Sequence, residues 1–398
     1  MDNHTEQIPS TNNYFDYNIL IEPHEAKCMG KRKTATLSDI KSCIGDVLKL
    51  KYPSYQLHDP LFISNEDRFK YYNNPNGFTP NTTNEDKDHV GKIHFIDNGL
   101  FLPTERCYFG SEMAPFISKS TGNKSQSSSC FTNEENLVPY VPLLKKDGGT
   151  FQHFIDCILP KLIQVLPLIR LTKAKVILAS NKVRDNIVLE IIYRLGIPRD
   201  GVLFFSDVFG SNRDFARCPH PMINTCITPP FHPVSWQKAR ELLGVPDSNR
   251  LPWKQAKVML LTRAGSHNPG RNLKNQDELE QLLSKRYGDR FIVFKGGLNL
   301  NETIRLFNSV RLLIGVHGGA FYNLNFCPKT TVVVEMFPTY SDGHLPGGLS
   351  HSVFWLMSSL IGQPYWRIPE EPVDMSNNMK CNITKMEQIL DAIDSNPT

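Results

Sequence analysis

The 398-residue sequence has little net charge, no C-x-x-C motif and no long apolar run, and each absence excludes a class of function. A formal charge of +4 gives no reason to expect nucleic acid, and the basic run at 31–33 is too short to act as a patch. No stretch approaches the ~18 consecutive apolar residues of a membrane helix, so no membrane segment is expected. The opening residues, MDNHTEQIPSTNNYFDYNIL, are polar and acidic, without the apolar core behind basic residues that marks a signal peptide. The nine cysteines (28, 43, 107, 130, 157, 218, 226, 327, 381) are scattered, odd in number and form no C-x-x-C pair. That pattern disfavours a zinc site and leaves free thiols with one or two disulfides. The fingerprint G-x-G-x-x-G is missing, which disfavours a dinucleotide site, and G-x-x-x-x-G-K-[ST] is missing, which disfavours a kinase-like P-loop.

What is present is an ordinary globular composition, 40% hydrophobic and 21% charged, over a length that suggests two domains. Five Asn-x-Ser/Thr sequons, beginning at Asn3, Asn81, Asn123, Asn301 and Asn382, permit a secretory location without arguing for it. Residues 1–90 read as a polar extension, partly disordered, with turn formers over 71–88; a Ser-rich loop covers 118–136. Over 91–245, helical spacing at 151–171 precedes a strand at 174–180, a helix at 183–196 and a strand at 201–206, a β-α-β series that favours a parallel sheet. Pro160 either opens a second helix or kinks one. A linker over 245–255 separates this unit from a second at 256–370. There, strands at 256–263, 291–296, 311–316 and 331–337 alternate with helices at 275–288 and 299–310, both opened by Asn-x-x-Glu capping boxes at Asn275 and Asn299. A last helix occupies the tail, 371–398.

Ligands of open α/β sheets collect beyond the carboxyl ends of the strands. In the second unit those ends carry Arg263, Lys295, His317 with Gly318 and Gly319, and Glu335. The glycine pair lets a ligand approach the backbone, and the helix after it offers unpaired N–H groups at its positive end. Arg263 and Arg271 are suited to grip phosphate oxygens in a fork, and Glu335 to accept from ribose hydroxyls. Together they imply a nucleoside diphosphate. Each has a plainer reading: a tight turn, a hydrogen-bonded structural histidine, solvated loop charges, a local cap. In the first unit His153 and Asp156 are three apart and share a helix face, the arrangement a general base needs; the plainer reading is a packed histidine beside a helix-turn acid.

The segments GGTFQHFIDCILPKL, LLTRAGSHNPGRNLKNQDEL and LLIGVHGGAFYNLNFCPKTTVVVEMFP resemble the signature regions of the family 61 glycosyltransferases, with the likeness covering roughly residues 90–370. The resemblance implies an α/β fold of GT-B type, two Rossmann-like domains facing a cleft. It also implies inversion at the sugar, a UDP-sugar donor held mainly by the second domain, no cofactor and no obligatory metal. Arg263, Arg271, His317, Gly318, Gly319, Asn323 and Glu335 fall on the family's motif positions, and His153 and Asp156 match its first-domain motif as the catalytic pair. The sugar implied is xylose or N-acetylglucosamine, and the acceptor a hydroxyl of a glycan or glycoprotein. The Golgi or ER lumen is the implied location, with the cytoplasm left open by the polar start. Two departures stand out. Many members read Gly-Ala-Gly after the histidine, and many space the first-domain His and Asp by four. Two other readings remain: a catalytically inactive glycan- or partner-binding member, and a GT-B-like transferase whose donor has no nucleotide.

Overall fold

The computed structural model describes residues 20–21, 24–25, 27, 34–72, 89–96, 99–101, 138–145, 148–179, 185–206, 216–218, 221–229, 231–246, 252–263, 270–346 and 352–396. The sequons at Asn3, Asn81 and Asn123, the Ser-rich stretch and most of 71–88 lie outside them. The first half contributes strands β1 (Val47–Tyr52), β2 (His89–Ile96), β3 (Gly99–Phe101), β4 (Tyr140–Leu143), β5 (Lys175–Leu178), β6 (Val202–Phe204), β7 (Ala216–Cys218) and β8 (Met222–Ile227). Six of them form one sheet in the order β1-β2-β8-β4-β5-β6, parallel from β8 to β6 and antiparallel at the β1-β2-β8 end. β3 and β7 pair separately.

The second half contributes β9 (Lys257–Leu261), β10 (Phe291–Phe294), β11 (Val310–Val316), β12 (Val332–Pro338) and β13 (Tyr365–Glu370), all parallel in the order β10-β9-β11-β12-β13. Every residue of β11 and β12 is buried, which explains why these strands read as unbroken apolar runs rather than alternating ones. The chain lays β10 on one side of β9 and then returns to lay β11 on the other. Strand order therefore reverses between β9 and β11, and beyond the carboxyl ends at such a reversal open α/β sheets take their ligands.

Helices cover both faces of the second sheet. Gln276–Tyr287 and Ile383–Ser395 pack on one, the latter through Met386, Ile389, Leu390 and Ile393 at i, i+3, i+4 and i+7. Burying each such side chain is worth roughly 1.5–3 kcal/mol. Leu300–Asn308 and Val353–Ile361 pack on the other face, and there the apolar core does not stop at the second half. One continuous cluster runs from Met259, Leu313 and Val333 through Phe321 and Trp355 to Trp236, Ile163 and the inner face of the first sheet at Val141 and Val176.

Several expectations change. Residues 37–72 are no loose extension: Leu37–Ile44 is a helix with a Thr36–Asp39 capping box, β1 is the edge strand of the first sheet, and Asn65–Tyr72 packs on β13. The stretch 151–172 is one helical run. Phe151–His153 leads into a π-helical turn at Phe154–Ile158, and Leu159–Thr172 continues it, with the π-turn falling directly before Pro160, whose ring leaves one carbonyl of that turn without its helical donor. The Asn299–Glu302 capping box is present, but Asn275 does not cap its helix. Its amide instead bonds Cys381, donating to the carbonyl at 3.0 Å and accepting from the N–H at 2.8 Å.

Glu370, at the end of β13, accepts from the Asn382 N–H at 2.8 Å, and burial pushes its pKa up to about 7, with Asp67 adding and Lys385 opposing. Between the ordinary carboxyl range and pH 7 the folded chain holds a proton that the unfolded chain releases, so stability falls as pH rises through that window. Glu370→Gln should therefore be more stable than the parent at pH 8 by up to about 3 kcal/mol, with the gap closing near pH 4.5. Urea denaturation at the two pH values checks this, and an equal gap at both would refute it.

Candidate functional site

At the carboxyl ends of β9 and β11, residues from three chain segments meet. β11 ends at Val316, and His317, Gly318 and Gly319 turn the chain into a 3₁₀ helix, Gly319–Phe326, rather than the α-helix the amphipathic pattern implies. The turn is held down by the His317 N–H donating to the Met336 carbonyl at 2.9 Å and by Asn323, whose amide donates to Ala320 at 2.9 Å. Gly315 lets the Phe321 ring lie flat on the strand, since a Cβ there would come within 3.2 Å of the ring and 2.9 Å of Leu261.

Arg263 follows β9 and lies across the turn. A Cβ on Gly318 would sit 2.4 Å from its Nη1, so the glycine is required by the guanidinium and not by its own extended backbone. Arg263 also donates from Nε to the Gly270 carbonyl at 3.1 Å. Arg271 reaches the same place from the other side and donates from Nη1 to the His317 carbonyl at 3.3 Å. Its backbone is left-handed (φ 57°), directly after Gly270 (φ 102°). That bend is clamped by the loop after β13. The Arg271 N–H donates to the Ser376 carbonyl at 3.0 Å, and Asn272 N–H to Asn378 Oδ1 at 2.8 Å. Asp374 orders this loop through the N–H groups of Ser376 and Asn378 and the Asn378 amide. None of the buttress residues carries a sequence signal, because their partners lie about a hundred positions away.

Burial, reinforced by Arg271, pushes the Arg263 pKa down to about 10; burial lowers that of Arg271, with Glu335 opposing. Two guanidinium groups held partly out of water and repelling each other have the chemistry to receive an anion. Gly319 and Ala320 keep their backbone partly exposed beside them, and the first N–H groups of a helix have no intrahelical acceptor.

Glu335 does not face this opening. It is fully buried on β12, where Oε1 accepts from His317 Nδ1 at 2.5 Å and Oε2 from the Tyr365 hydroxyl. A ribose contact is closed to it; it holds the His317 ring from beneath, and the register sets it beside Arg367, whose guanidinium stacks 3.8 Å over Phe337. Burial lowers the His317 pKa, with Arg271 and Arg367 adding and Glu335 opposing. Lys295 stands exposed just beyond the edge strand β10.

The helix start at 151–153 packs directly on the 3₁₀ helix, with Gln152 Oε1 2.8 Å from the Cβ position of Gly319. His153 is half-exposed and Asp156 largely buried, with Nδ1 and Oδ1 3.8 Å apart, beyond hydrogen-bond distance. Sequence spacing thus brings the pair onto one face without joining them.

Residues 151–334, which span both the His153 segment and the glycine turn, match the family model Glycosyltransferase 61. No curated protein matches the chain.

Gly318→Ala is compatible with the extended backbone at that position and should leave the fold intact, but it displaces the Arg263 guanidinium. Affinity for inorganic pyrophosphate should fall about tenfold by calorimetry, the loss of one charged hydrogen bond. Unchanged affinity would place the anion elsewhere.

Proposed function

We propose that this chain, whose residues 151–334 match the Glycosyltransferase 61 family model, is a glycosyltransferase of that family that moves a sugar from a UDP-sugar to a hydroxyl of a glycan or glycoprotein with inversion at the anomeric carbon. The observation that carries the reading is the pair Arg263 and Arg271, both turned onto the His317–Gly318–Gly319 turn at the point of strand reversal. In a GT-B arrangement the second half holds the donor diphosphate there, with the first half supplying the acceptor side. The acceptor oxygen attacks the anomeric carbon, His153 takes its proton, and the bond to the diphosphate breaks. Negative charge then develops on the leaving phosphate, where Arg263, Arg271 and the first N–H groups of the 3₁₀ helix meet it. These donors supply the stabilisation in a mechanism that calls on no metal. Xylose and N-acetylglucosamine are the sugars that the family resemblance favours.

The Golgi or ER lumen is the proposed compartment. Cys43 is disulfide-bonded, which suits an oxidising environment, while Cys157, Cys327 and Cys381 are free thiols. Among the described residues no helix is long and apolar enough to cross a membrane.

One observation favours a second reading, donor binding without transfer: the 3.8 Å gap between His153 and Asp156 leaves the proposed base without a hydrogen-bonded partner. A thermal-shift screen across nucleotide sugars followed by a transfer assay separates the two. Both readings expect stabilisation by UDP, and only the first expects turnover. Arg263→Ala should lower transfer roughly 100- to 1,000-fold, the usual effect of removing one such donor. Full activity in that variant would refute the assignment.

A further inference from the structure

Tyr322 lies on the 3₁₀ helix that opens at the glycine turn, yet its hydroxyl donates to Asp156 Oδ2 in the first half at 2.7 Å. The phenol is buried, with the Phe354 ring edge-on at 5.1 Å, and burial followed by the Asp156 charge raises its pKa well above the usual range. It therefore stays a donor at every working pH. With Oδ2 occupied, Oδ1 is left buried and, among the described residues, without a hydrogen-bond partner, 3.8 Å from His153 Nδ1. The carboxylate is held by Tyr322, which rides on the glycine turn, with the Cys157 thiol also beside it.

We infer that Tyr322 is a positioning residue that couples the donor turn to the catalytic pair. It fixes the Asp156 carboxylate so that Oδ1 is directed at His153. Because Tyr322 shares a rigid helix with Gly319, loading of the turn by a diphosphate is transmitted to that carboxylate. Closing 3.8 Å to a hydrogen bond needs a displacement of roughly 1 Å, and a misplacement of that size changes rates on the order of 100-fold. This inference rests on the transferase reading above.

The test is a double-mutant cycle of Tyr322→Phe and Asp156→Asn, with steady-state kinetics on the active UDP-sugar and UDP affinity by calorimetry. Tyr322→Phe should lower kcat roughly 10- to 100-fold while the donor KM and the UDP Kd stay within about twofold. In the Asp156→Asn background the same substitution should cost no further rate. Tyr322→His, which returns a ring donor, should recover part of kcat, and circular dichroism verifies that each variant is folded. Multiplicative losses in the double variant, a parent-like kcat in Tyr322→Phe, or a UDP affinity that falls in step with kcat would each overturn the inference. A parent chain that transfers sugar while Tyr322→Phe is silent in kcat refutes the coupling alone. A parent chain that binds no nucleoside diphosphate refutes the transferase reading, and the coupling with it.

Discussion

Two positive side chains, Arg263 and Arg271, are pressed together over one backbone turn and held half out of water. Left to themselves they would swing apart into solvent, so the architecture around them is best understood as what keeps them in place. From one side, a glycine with no side chain makes room for Arg263. From the other, a left-handed bend clamped to the loop at 374–379 aims Arg271 inward. Beneath them, Glu335 supplies the counter-charge at one remove, through His317.

The first half of the chain is not a passenger in this arrangement. Its helix 151–172 delivers Gln152, His153 and Asp156 to the rim of the same turn, and the packing that brings them there belongs to the shared apolar cluster. Polar struts reinforce it. Arg240 donates from Nη1 to the Asn325 and Cys327 carbonyls at 2.5 and 2.8 Å, and Glu190 accepts from the Leu300 N–H at 2.6 Å at the start of a second-half helix. Groups from the two ends of the family-matched range therefore meet through contacts already present in the fold.

Much of the second half was legible in the sequence because its signals are local. β9 to β12 are apolar runs, and the helices between them are amphipathic, one of them with a working capping box at Asn299 and Glu302. The His-Gly-Gly turn, with Arg263 and Arg271 near it, could likewise be found from residue type and spacing. The rest depends on contacts between distant positions. Asn275 looks like a cap and serves as a clamp because Cys381 arrives beside it, 106 residues later. Glu335 looks like a ribose ligand until Tyr365 and His317 close over it. β1 does carry a local signal, the period-two alternation Leu48, Lys49, Leu50, Lys51, Tyr52, which the polar composition of 1–90 outweighs. Tyr322 reads as one more core aromatic, and nothing within its own segment points to Asp156.

The unbroken core has a mechanical consequence. Halves that share Phe321, Trp355, Trp236 and Ile163 in one dry interior cannot swing open like a jaw without wetting large apolar surfaces. Access to the glycine turn is then over the lip of the sheet formed by the carboxyl ends of β9, β11 and β12. Selectivity for what is admitted would be a property of that lip and not of a hinge.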